Sequence, residues 1–297
     1  MIKKSGIITI CGRPNVGKST LTNAFVGEKV AIVTSKPQTT RNRICGIKNR
    51  GESQFVFVDT PGLHKARTRL GDYMVNVVKE SVSDVDAVLL LVEPIPHVGE
   101  PEKQLISRMK TLGCPAVLAI NKSDTLPQKE KLLEVIQVYS RENDFDAVVP
   151  ISAKTGQGVE ELLDVLEGYL PEGPQLFPDD MTSDQPERQM MAEIMREKLL
   201  LLLDKEIPHG TAVEITRFAE RDDEIVEVEA TIYCEKNSHK GIVIGKGGGM
   251  LKKASTLARQ DMETFMGAKV FLKTWVKVKE NWRDNPAAIQ NFGYGKE

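Results

Sequence analysis

Residues 7–26 read IITICGRPNVGKSTLTNAFV, and this stretch decides how the first half of the chain folds. Its first five residues are mostly apolar and β-branched, which predicts a short buried strand. Its last seven predict the start of a helix, and residues 12–19 between them fit the pattern G-x-x-x-x-G-K-[ST]. A glycine loop in this setting turns backbone N–H groups toward phosphate at the helix N-terminus. The stretch predicts a phosphate-binding loop, against the alternative of a plain glycine turn.

Two side chains of this loop have predicted roles of their own. Lys18 is expected to reach the β- and γ-phosphates of a nucleotide, and the Ser19 hydroxyl is expected to bind Mg²⁺. The whole predicted phosphate-binding set is Gly12, Arg13, Pro14, Asn15, Val16, Gly17, Lys18, Ser19 and Thr20.

A second motif, Asp59-Thr60-Pro61-Gly62, ends the apolar run 55–58. A carboxylate at the C-terminal edge of a strand lies beside the phosphate loop in an open α/β sheet. We expect Asp59 to hold Mg²⁺ through a water molecule and the Gly62 N–H to contact the γ-phosphate. The neighbouring residues included in the predicted site are Thr60, Pro61 and Leu63. Taken alone, this pattern is more typical of a turn.

Two further motifs follow predicted strands and point to the base of the nucleotide. In Asn121-Lys122-Ser123-Asp124, the last carboxylate can accept hydrogen bonds from guanine N1–H and the 2-amino group, and adenine has no donors there. In Ser152-Ala153-Lys154, a backbone N–H is expected to meet guanine O6. The four motifs, each at the end of a predicted strand, together predict a site for GTP and GDP.

This set of motifs resembles the translation-factor-related GTPases. Between the first two motifs of this chain lies the segment Lys36-Pro37-Gln38-Thr39-Thr40-Arg41, which looks like the switch loop of such proteins. In that loop a threonine closes over Mg²⁺ and the γ-phosphate. The resemblance aligns Thr40 with that ligand and keeps Thr39 as the alternative. It thus implies Ser19, Thr40 and Asp59 as metal ligands, and Lys18, Thr40 and Gly62 as catalytic residues.

Position 63 departs from one branch of these GTPases. In Ras-like GTPases a Gln at this place orients the attacking water. Leu63 cannot do so, because its side chain has no hydrogen-bonding group. The group that positions the water is therefore left unassigned by the sequence.

The chain is predicted to contain two domains. Strands and helices alternate over residues 4–170, which predicts an α/β P-loop GTPase domain with a doubly wound, mostly parallel sheet and an antiparallel edge strand near 42–49. Residues 171–186 contain four prolines and a glycine and predict a semi-rigid linker. Residues 187–280 predict an α+β domain of order αββααβ, and residues 281–297 form a C-terminal tail.

Composition limits the class of protein and suggests its partner. The net charge is −2, but residues 240–283 hold ten Lys and Arg against three Asp and Glu. A basic segment on an acidic body predicts an anionic partner, against the alternative of a solvated face. The four cysteines are scattered without metal-ligand spacing, which predicts reduced thiols. The apolar runs are too short to span a bilayer.

A glycine-rich loop in the second domain carries its predicted chemistry. It follows an apolar run, precedes a predicted helix and resembles the loop of KH domains, which clamps about four nucleotides of a single strand. The predicted RNA-binding residues are Ile244, Gly245, Lys246, Gly247, Gly248, Lys252 and Lys253. Lysines and aromatic residues also alternate along the last strand, 269–279. That face is predicted to track nucleic acid, to meet a ribosomal partner or to be solvated.

The combination of a GTPase domain with this switch sequence, a proline-rich linker and a KH domain that ends in residues 275–279 is similar to the Era family of bacterial GTPases. The resemblance covers almost the whole chain. It implies hydrolysis of GTP to GDP and phosphate, and binding of single-stranded RNA near the 3′ end of 16S rRNA during assembly of the small ribosomal subunit. It also implies a cytoplasmic monomer and allows a peripheral contact with the inner face of the cell membrane. Leu63 keeps one alternative open, an RNA-binding adaptor whose nucleotide site is a switch with negligible turnover.

Overall fold

The computed structural model describes residues 2–62, 68–81, 84–126, 130–221 and 224–294. These residues form two compact units. The first unit contains the described residues within 1–31, 40–65 and 74–184, and the second those within 32–39, 66–73 and 185–297.

The first part of the chain alternates strands and helices, as predicted. The strands are β1 (Lys4–Cys11), β2 (Ile44–Arg50), β3 (Ser53–Asp59), β4 (Ala87–Val92), β5 (Ala116–Ile120) and β6 (Ala147–Pro150). The helices are α1 (Lys18–Val26), α2 (Arg69–Glu80), α3 (Glu100–Leu112), α4 (Glu130–Ser140) and α5 (Val159–Glu167). The strands form one sheet in the order β2-β3-β1-β4-β5-β6, in which only β2 runs antiparallel to its neighbour. The predicted α/β fold class and the antiparallel edge strand are confirmed.

The central strands are buried on both faces, which explains their nearly continuous apolar sequence. Leu89 and Leu91 of β4 belong to one core cluster and Val88 and Leu90 to another, and all four are fully buried. Side chains alternate between the two faces of a strand, so each face has its own core. The register places Ile10 opposite both Asp59 and Leu89, and the C-terminal ends of β1, β3 and β4 therefore meet at one edge of the sheet.

The proline-rich segment runs along the antiparallel edge of this sheet. Ile47 N donates to Thr182 O at 2.8 Å, and Cys45 N donates to Asp184 Oδ1 at 2.9 Å. Gln54 of β3 is fully buried. Its side-chain Nε2 donates to Asn49 Oδ1 and Phe177 O, and its Oε1 accepts from the N–H groups of Leu176 and Phe177. Prolines cannot donate the hydrogen bonds of a regular strand, so side chains such as Gln54 supply bonds to this segment instead.

The second unit has a three-stranded sheet covered by helices on one face. Its elements are α6 (Glu187–Leu202), β7 (Ala212–Glu220), β8 (Ile225–Cys234), α7 (Asn237–Ile244), α8 (Gly249–Met266), β9 (Lys269–Val278) and α9 (Pro286–Asn291). The strands lie in the order β7-β8-β9, with β7 antiparallel and β9 parallel to β8. The predicted order αββααβ is confirmed, and α9 is an additional short helix in the tail.

Helix α6 is buried on more than the one apolar face that its sequence predicts. Met191, Ile194 and Leu199 are fully buried in the core of the second unit, but Arg196 is also fully buried. Arg196 is paired with Glu193 and donates a hydrogen bond to the carbonyl oxygen of Thr39. Val33 N donates to Glu197 Oε1 at 2.9 Å. Residues 32–39 therefore cover the polar side of α6 and form part of the second unit.

The amide of Gln54 provides a direct test of how the proline-rich segment is held. Gln54→Leu keeps the side-chain volume but leaves the N–H groups of Leu176 and Phe177 without their acceptor. Loss of buried hydrogen-bond partners is expected to lower the free energy of unfolding by about 2 kcal/mol, measured by urea denaturation. Gln175→Leu, in the exposed part of the same segment, is the matched control and should change it by less than about 0.5 kcal/mol. Equal effects of the two substitutions would contradict this account.

Candidate functional site

The loop between β1 and α1 requires glycine where it enters the helix. Gly17 has φ +104°, and a Cβ atom there would lie 2.3 Å from Asn121 Nδ2. Any side chain at this position would both strain the backbone and displace Asn121. The loop can therefore approach the loop after β5 closely, and both loops line the same end of the sheet.

Lys18 is almost completely buried inside the loop. Its Nζ donates to the carbonyl oxygens of Gly12 at 3.1 Å and Arg13 at 3.0 Å. Burial lowers the pKa of Lys18, and the nearby charge of Asp59 acts in the opposite direction. An ammonium group held in this way is placed to meet an anionic phosphate, which would favour its charged form.

The three predicted metal ligands lie together. Ser19 Oγ donates to Asp59 Oδ2 at 2.6 Å and lies 2.8 Å from Thr40 Oγ1. Asp59 is fully buried, and its second oxygen, Oδ1, has no hydrogen-bond partner among the described residues. Burial raises the pKa of Asp59 to about 6, while Lys18 and the Ser19 hydroxyl oppose that rise. Two hydroxyls and a carboxylate with an unused buried oxygen fit Mg²⁺, which prefers oxygen ligands.

The two candidate threonines of the switch segment differ in their contacts. Thr40 is buried and contacts Ser19. The Thr39 hydroxyl is bonded instead to Thr34 Oγ1 at 2.6 Å and to Lys36 O at 2.7 Å. The structure brings Thr40, and not the Thr39 side chain, to the group formed by Ser19 and Asp59.

Arg13 is in the loop but directs its side chain elsewhere. Its guanidinium forms an ion pair with Glu102 of α3 at 2.5 Å and lies 3.9 Å from Glu93. Glu102 is itself buried. The guanidinium therefore anchors the loop to α3, and the contribution of Arg13 to phosphate binding comes from its backbone.

The predicted base-binding loops are tied to the phosphate loop by one buried amide. Asn121 Nδ2 donates to Val16 O at 2.7 Å, and Asn121 Oδ1 accepts from Ala153 N at 2.9 Å. Lys122 Nζ donates to Asn15 O at 2.8 Å and pairs with Glu93. Asp124 is exposed in a short 3₁₀ turn. Asn121 thus fixes the relative positions of three loops, and Asp124 is left accessible to a base.

The remaining predicted residues of this site are also at the same edge. Thr60 is buried, and its hydroxyl donates to Ile10 O at 3.1 Å, which joins β3 to β1 just below the phosphate loop. Gly62 lies against the loop, since a Cβ atom there would be 2.7 Å from Pro14 Cα. Ser152 is buried, and Lys154 is exposed. Leu63 lies outside the described residues.

The second unit contains a groove beside the predicted RNA-binding loop. Its volume is about 320 Å³, and it lies between α8 and β9. The lining residues are Gly248, Leu251, Lys252, Ser255, Thr256, Arg259, Leu272 and Thr274. Lys246, Gly247 and Lys253 are exposed, but they are not among the residues that line the groove.

The loop at the mouth of this groove depends on glycine. Gly245 has φ +74°, and a Cβ atom there would lie 2.6 Å from Met250 Cβ. The loop therefore packs directly on the first turn of α8. Lys246 and Gly247 extend into open space, where an incoming phosphate group could approach the backbone.

Most residues that line the groove are not among those predicted from the sequence to bind RNA. Positions 248, 252, 255 and 259 are spaced for one face of a helix, so the spacing on α8 could have indicated Ser255 and Arg259. Leu272 and Thr274 of β9 carried no local signal, because their place in the groove depends on pairing between β8 and β9.

Other possible features are absent from the part of the chain that the structure describes. None of its helices is long and apolar enough to cross a membrane. It contains no cluster of three or more His, Cys, Asp or Glu side chains suited to a metal. The candidate Mg²⁺ ligands described above are of a different kind, because two of the three are the hydroxyl groups of Ser19 and Thr40.

Comparison with known families gives one match in each half of the chain. Residues 7–122 match the family model described as 50S ribosome-binding GTPase, and residues 206–283 match the KH domain family. Among curated proteins, the chain is 49% identical to GTPase Era of Ruminiclostridium cellulolyticum over 294 residues, which cover 99% of this chain and 98% of that protein. It is 50% identical to GTPase Era of Clostridioides difficile, with 98% of each chain covered.

Two solved structures are similar to almost the whole chain. One is a variant of Aquifex aeolicus Era bound to GDP and AlF₄⁻, and the other is an Era in complex with MgGDPNP and nucleotides 1506–1542 of 16S ribosomal RNA. Each has a TM-score of 0.95 and 36% identity, and covers 99% of this chain and 100% of its own. Both structures are of proteins that carry a guanine nucleotide.

The exposed carboxylate of Asp124 gives a test of base recognition. Asp124→Asn should weaken GTP binding roughly ten- to hundredfold and should favour xanthosine triphosphate, because the Asn amide can donate to the 2-oxo group of xanthine. The binding of both nucleotides can be measured by calorimetry. Asp144→Asn, the same change at another exposed position, should leave both affinities unchanged. Tight GTP binding by the Asp124 variant would refute the assignment.

Proposed function

The chain belongs to the GTPase Era family, and on that premise we propose that it is a GTP-hydrolysing factor that binds 16S rRNA near its 3′ end during assembly of the small ribosomal subunit. The first unit carries the GTPase site and the second carries the RNA groove. The curated relatives at about 50% identity over nearly the full length support this proposal.

The observation that carries the GTPase assignment is the contact of Ser19 with both Thr40 and Asp59. These residues come from three separate segments of the chain, and the hydrogen bonds of Ser19 join them within 2.8 Å. The three residues are far apart in the sequence, so only the folding of the chain brings them together. Their convergence beside Lys18 is what a site for a metal-bound triphosphate requires.

Hydrolysis in this site would be an attack of water on the γ-phosphate. Lys18 would bind the β- and γ-phosphate oxygens and stabilise the negative charge that develops on them in the transition state. The Gly62 N–H would add a donor to the γ-phosphate. The loop amides after Gly12 would hold the other phosphates, so that the reacting atoms are aligned before the reaction begins.

Mg²⁺ fits the oxygen ligands of this site. Ser19 and Thr40 would contribute hydroxyls and Asp59 its carboxylate, through water. When bound, Mg²⁺ neutralises charge on the β- and γ-phosphates. The protein contributes by excluding solvent from Asp59, which strengthens the interaction of its carboxylate with a cation.

The alternative of an adaptor with negligible turnover rested on Leu63. Membership of a GTPase family argues against it, since that family includes a relative bound to GDP and AlF₄⁻. Leu63 cannot orient water through its side chain. We therefore propose that backbone groups of residues 60–62 and the Thr40 hydroxyl position the water.

The RNA-binding part of the proposal rests on the groove between α8 and β9. A related Era binds nucleotides 1506–1542 of 16S rRNA. In this chain the groove combines Lys252 and Arg259 with hydroxyl groups and the apolar Leu272, and it opens beside the glycine loop. Cations and exposed backbone N–H groups suit a single RNA strand. The cytoplasmic location, the monomeric state and the peripheral membrane contact stay predictions from the resemblance.

A pair of neighbouring substitutions tests the metal ligand. Thr40→Ala should lower the rate of phosphate release from GTP by roughly ten- to hundredfold and raise the Mg²⁺ concentration needed for half-maximal rate, because a ligand hydroxyl is lost. Thr39→Ala removes the same atoms one residue earlier and should change the rate by less than about threefold. If the two effects are reversed, Thr39 is the ligand and this assignment is wrong.

A second substitution pair tests the glycine loop beside the RNA groove. Replacing Lys246 and Gly247 with Asp should weaken binding of RNA spanning nucleotides 1506–1542 by more than about tenfold in filter-binding assays, because two carboxylates would face the phosphates. GTP binding should be unchanged. The matched control replaces Lys110 and Gly113 with Asp; Lys110 is exposed, and Gly113 likewise has a positive φ and open space. An unchanged RNA titration for the first variant would refute the assignment of the glycine loop to RNA binding.

A further inference from the structure

Strand β9 presents two large aromatic side chains to solvent. Phe271 is 44% exposed and Trp275 is 43% exposed, whereas Val270 and Val276 of the same strand are buried in the core. Successive residues of a strand point to opposite faces of a sheet, so Phe271, Lys273 and Trp275 share the face turned away from α7 and α8. Exposed apolar surface of this kind often marks a binding site. We call these three residues the outer face.

The C-terminal segment covers only one end of this side of the sheet. Phe292 packs on Tyr233 with ring centroids 4.8 Å apart, and Lys279 lies over the ring of Phe292. Tyr233 is in register with Lys277, whereas Trp275 is opposite Thr231 and Phe271 is opposite Glu227. The outer face thus begins where this aromatic contact ends, and Phe271 and Trp275 keep their exposure with the segment in place.

The charges around the outer face favour an anionic occupant. Lysines at 269, 273 and 277 alternate with the two aromatic residues along β9. Two carboxylates share this side of β8, but both are paired. Glu227 is 3.1 Å from Arg217 and 3.2 Å from Lys273, and Glu229 is 3.5 Å from Lys273. The acidic groups are therefore compensated, and the lysines at either end add positive charge.

The outer face and the RNA groove belong to the same edge strand. Leu272 and Thr274 line the groove, and they alternate along β9 with the residues of the outer face. β9 is the last strand of its sheet. A single strand that leaves the groove and crosses this edge would reach Phe271 and Trp275 directly.

We propose that the outer face is a second contact for single-stranded RNA, which binds nucleotides flanking those held in the groove. Phe271 and Trp275 stack on bases about 13 Å apart, since they are four residues apart on a strand. Lys269 and Lys277, at either end of this face, contact the phosphates. Stacking on aromatic rings accepts any base, because every base has a π-face. The proposal rests on the proposed RNA-binding function.

Trp275 can report on this contact itself. The chain has two tryptophans, and the other, Trp282, is fully buried. RNA spanning nucleotides 1506–1542 should quench the exposed fluorescence component, and that component should be absent from Trp275→Phe. Trp275→Phe should keep RNA affinity within about threefold, because a phenyl ring still stacks.

RNA length separates the outer face from the groove. A segment of about six nucleotides that binds the wild type should occupy the groove alone, and one of about twelve nucleotides that contains it should reach both. Trp275→Ala and Phe271→Ala should each weaken binding of the longer segment about tenfold and leave the shorter one unchanged. Leu201→Ala, which removes another exposed apolar side chain of this unit, is the matched control and should affect neither.

Three outcomes would overturn the proposal. The first is equal affinity of Trp275→Ala and wild type for the longer RNA, with Trp275 emission unchanged by that RNA. The second is that Trp275→Ala binds the longer RNA as the wild type does but binds whole small ribosomal subunits more weakly, which would identify a ribosomal protein as the partner. The third is that no RNA segment within nucleotides 1506–1542 binds the wild type, which would also remove the proposed function and is thereby distinguishable from the first two.

Discussion

The first unit depends on two opposite charges that are both buried at the C-terminal edge of its sheet and close enough to interact. Asp59 is fully buried and Lys18 is 6% exposed. Burial alone disfavours both charges, as the raised pKa of Asp59 and the lowered pKa of Lys18 indicate. Each charge partly offsets the cost of the other, and Ser19 and the loop carbonyls supply the remaining polar contacts. An arrangement that still leaves Asp59 Oδ1 unbonded is suited to a metal and a phosphate.

Buried polar side chains position the loops around these charges. Asn121 holds both the phosphate loop and the loop at 152–154, and Gln54 holds the proline-rich segment along β2. In the second unit Arg196 plays a similar part for residues 32–39. In each case a single side chain satisfies backbone groups of a segment that has no regular structure. Such bonds are costly to break when buried, so irregular segments keep defined positions.

The sequence predicted the parts of the molecule that depend on local patterns. Apolar runs located the strands, and the motifs at 12–19 and 59–62 indicated residues that the structure brings together, because strand, loop and helix are adjacent in the chain. The direction of the Arg13 side chain could not be predicted, since Glu102 is about ninety residues away. Long-range contacts likewise determine the role of Gln54, the position of residues 32–39 and the side of the groove that β9 forms. None of these contacts is encoded in a local pattern of residues.

The chain is a GTPase of the Era family, and the central claim is that Ser19, Thr40 and Asp59 form the metal site of its hydrolytic centre. The most direct test is anomalous diffraction from crystals grown with Mn²⁺ in place of Mg²⁺ and a non-hydrolysable GTP analogue. The account predicts an anomalous peak bonded to the Ser19 and Thr40 hydroxyls, with the Asp59 carboxylate contacting it through water. A peak bonded to Thr39, or one remote from Asp59, would contradict it.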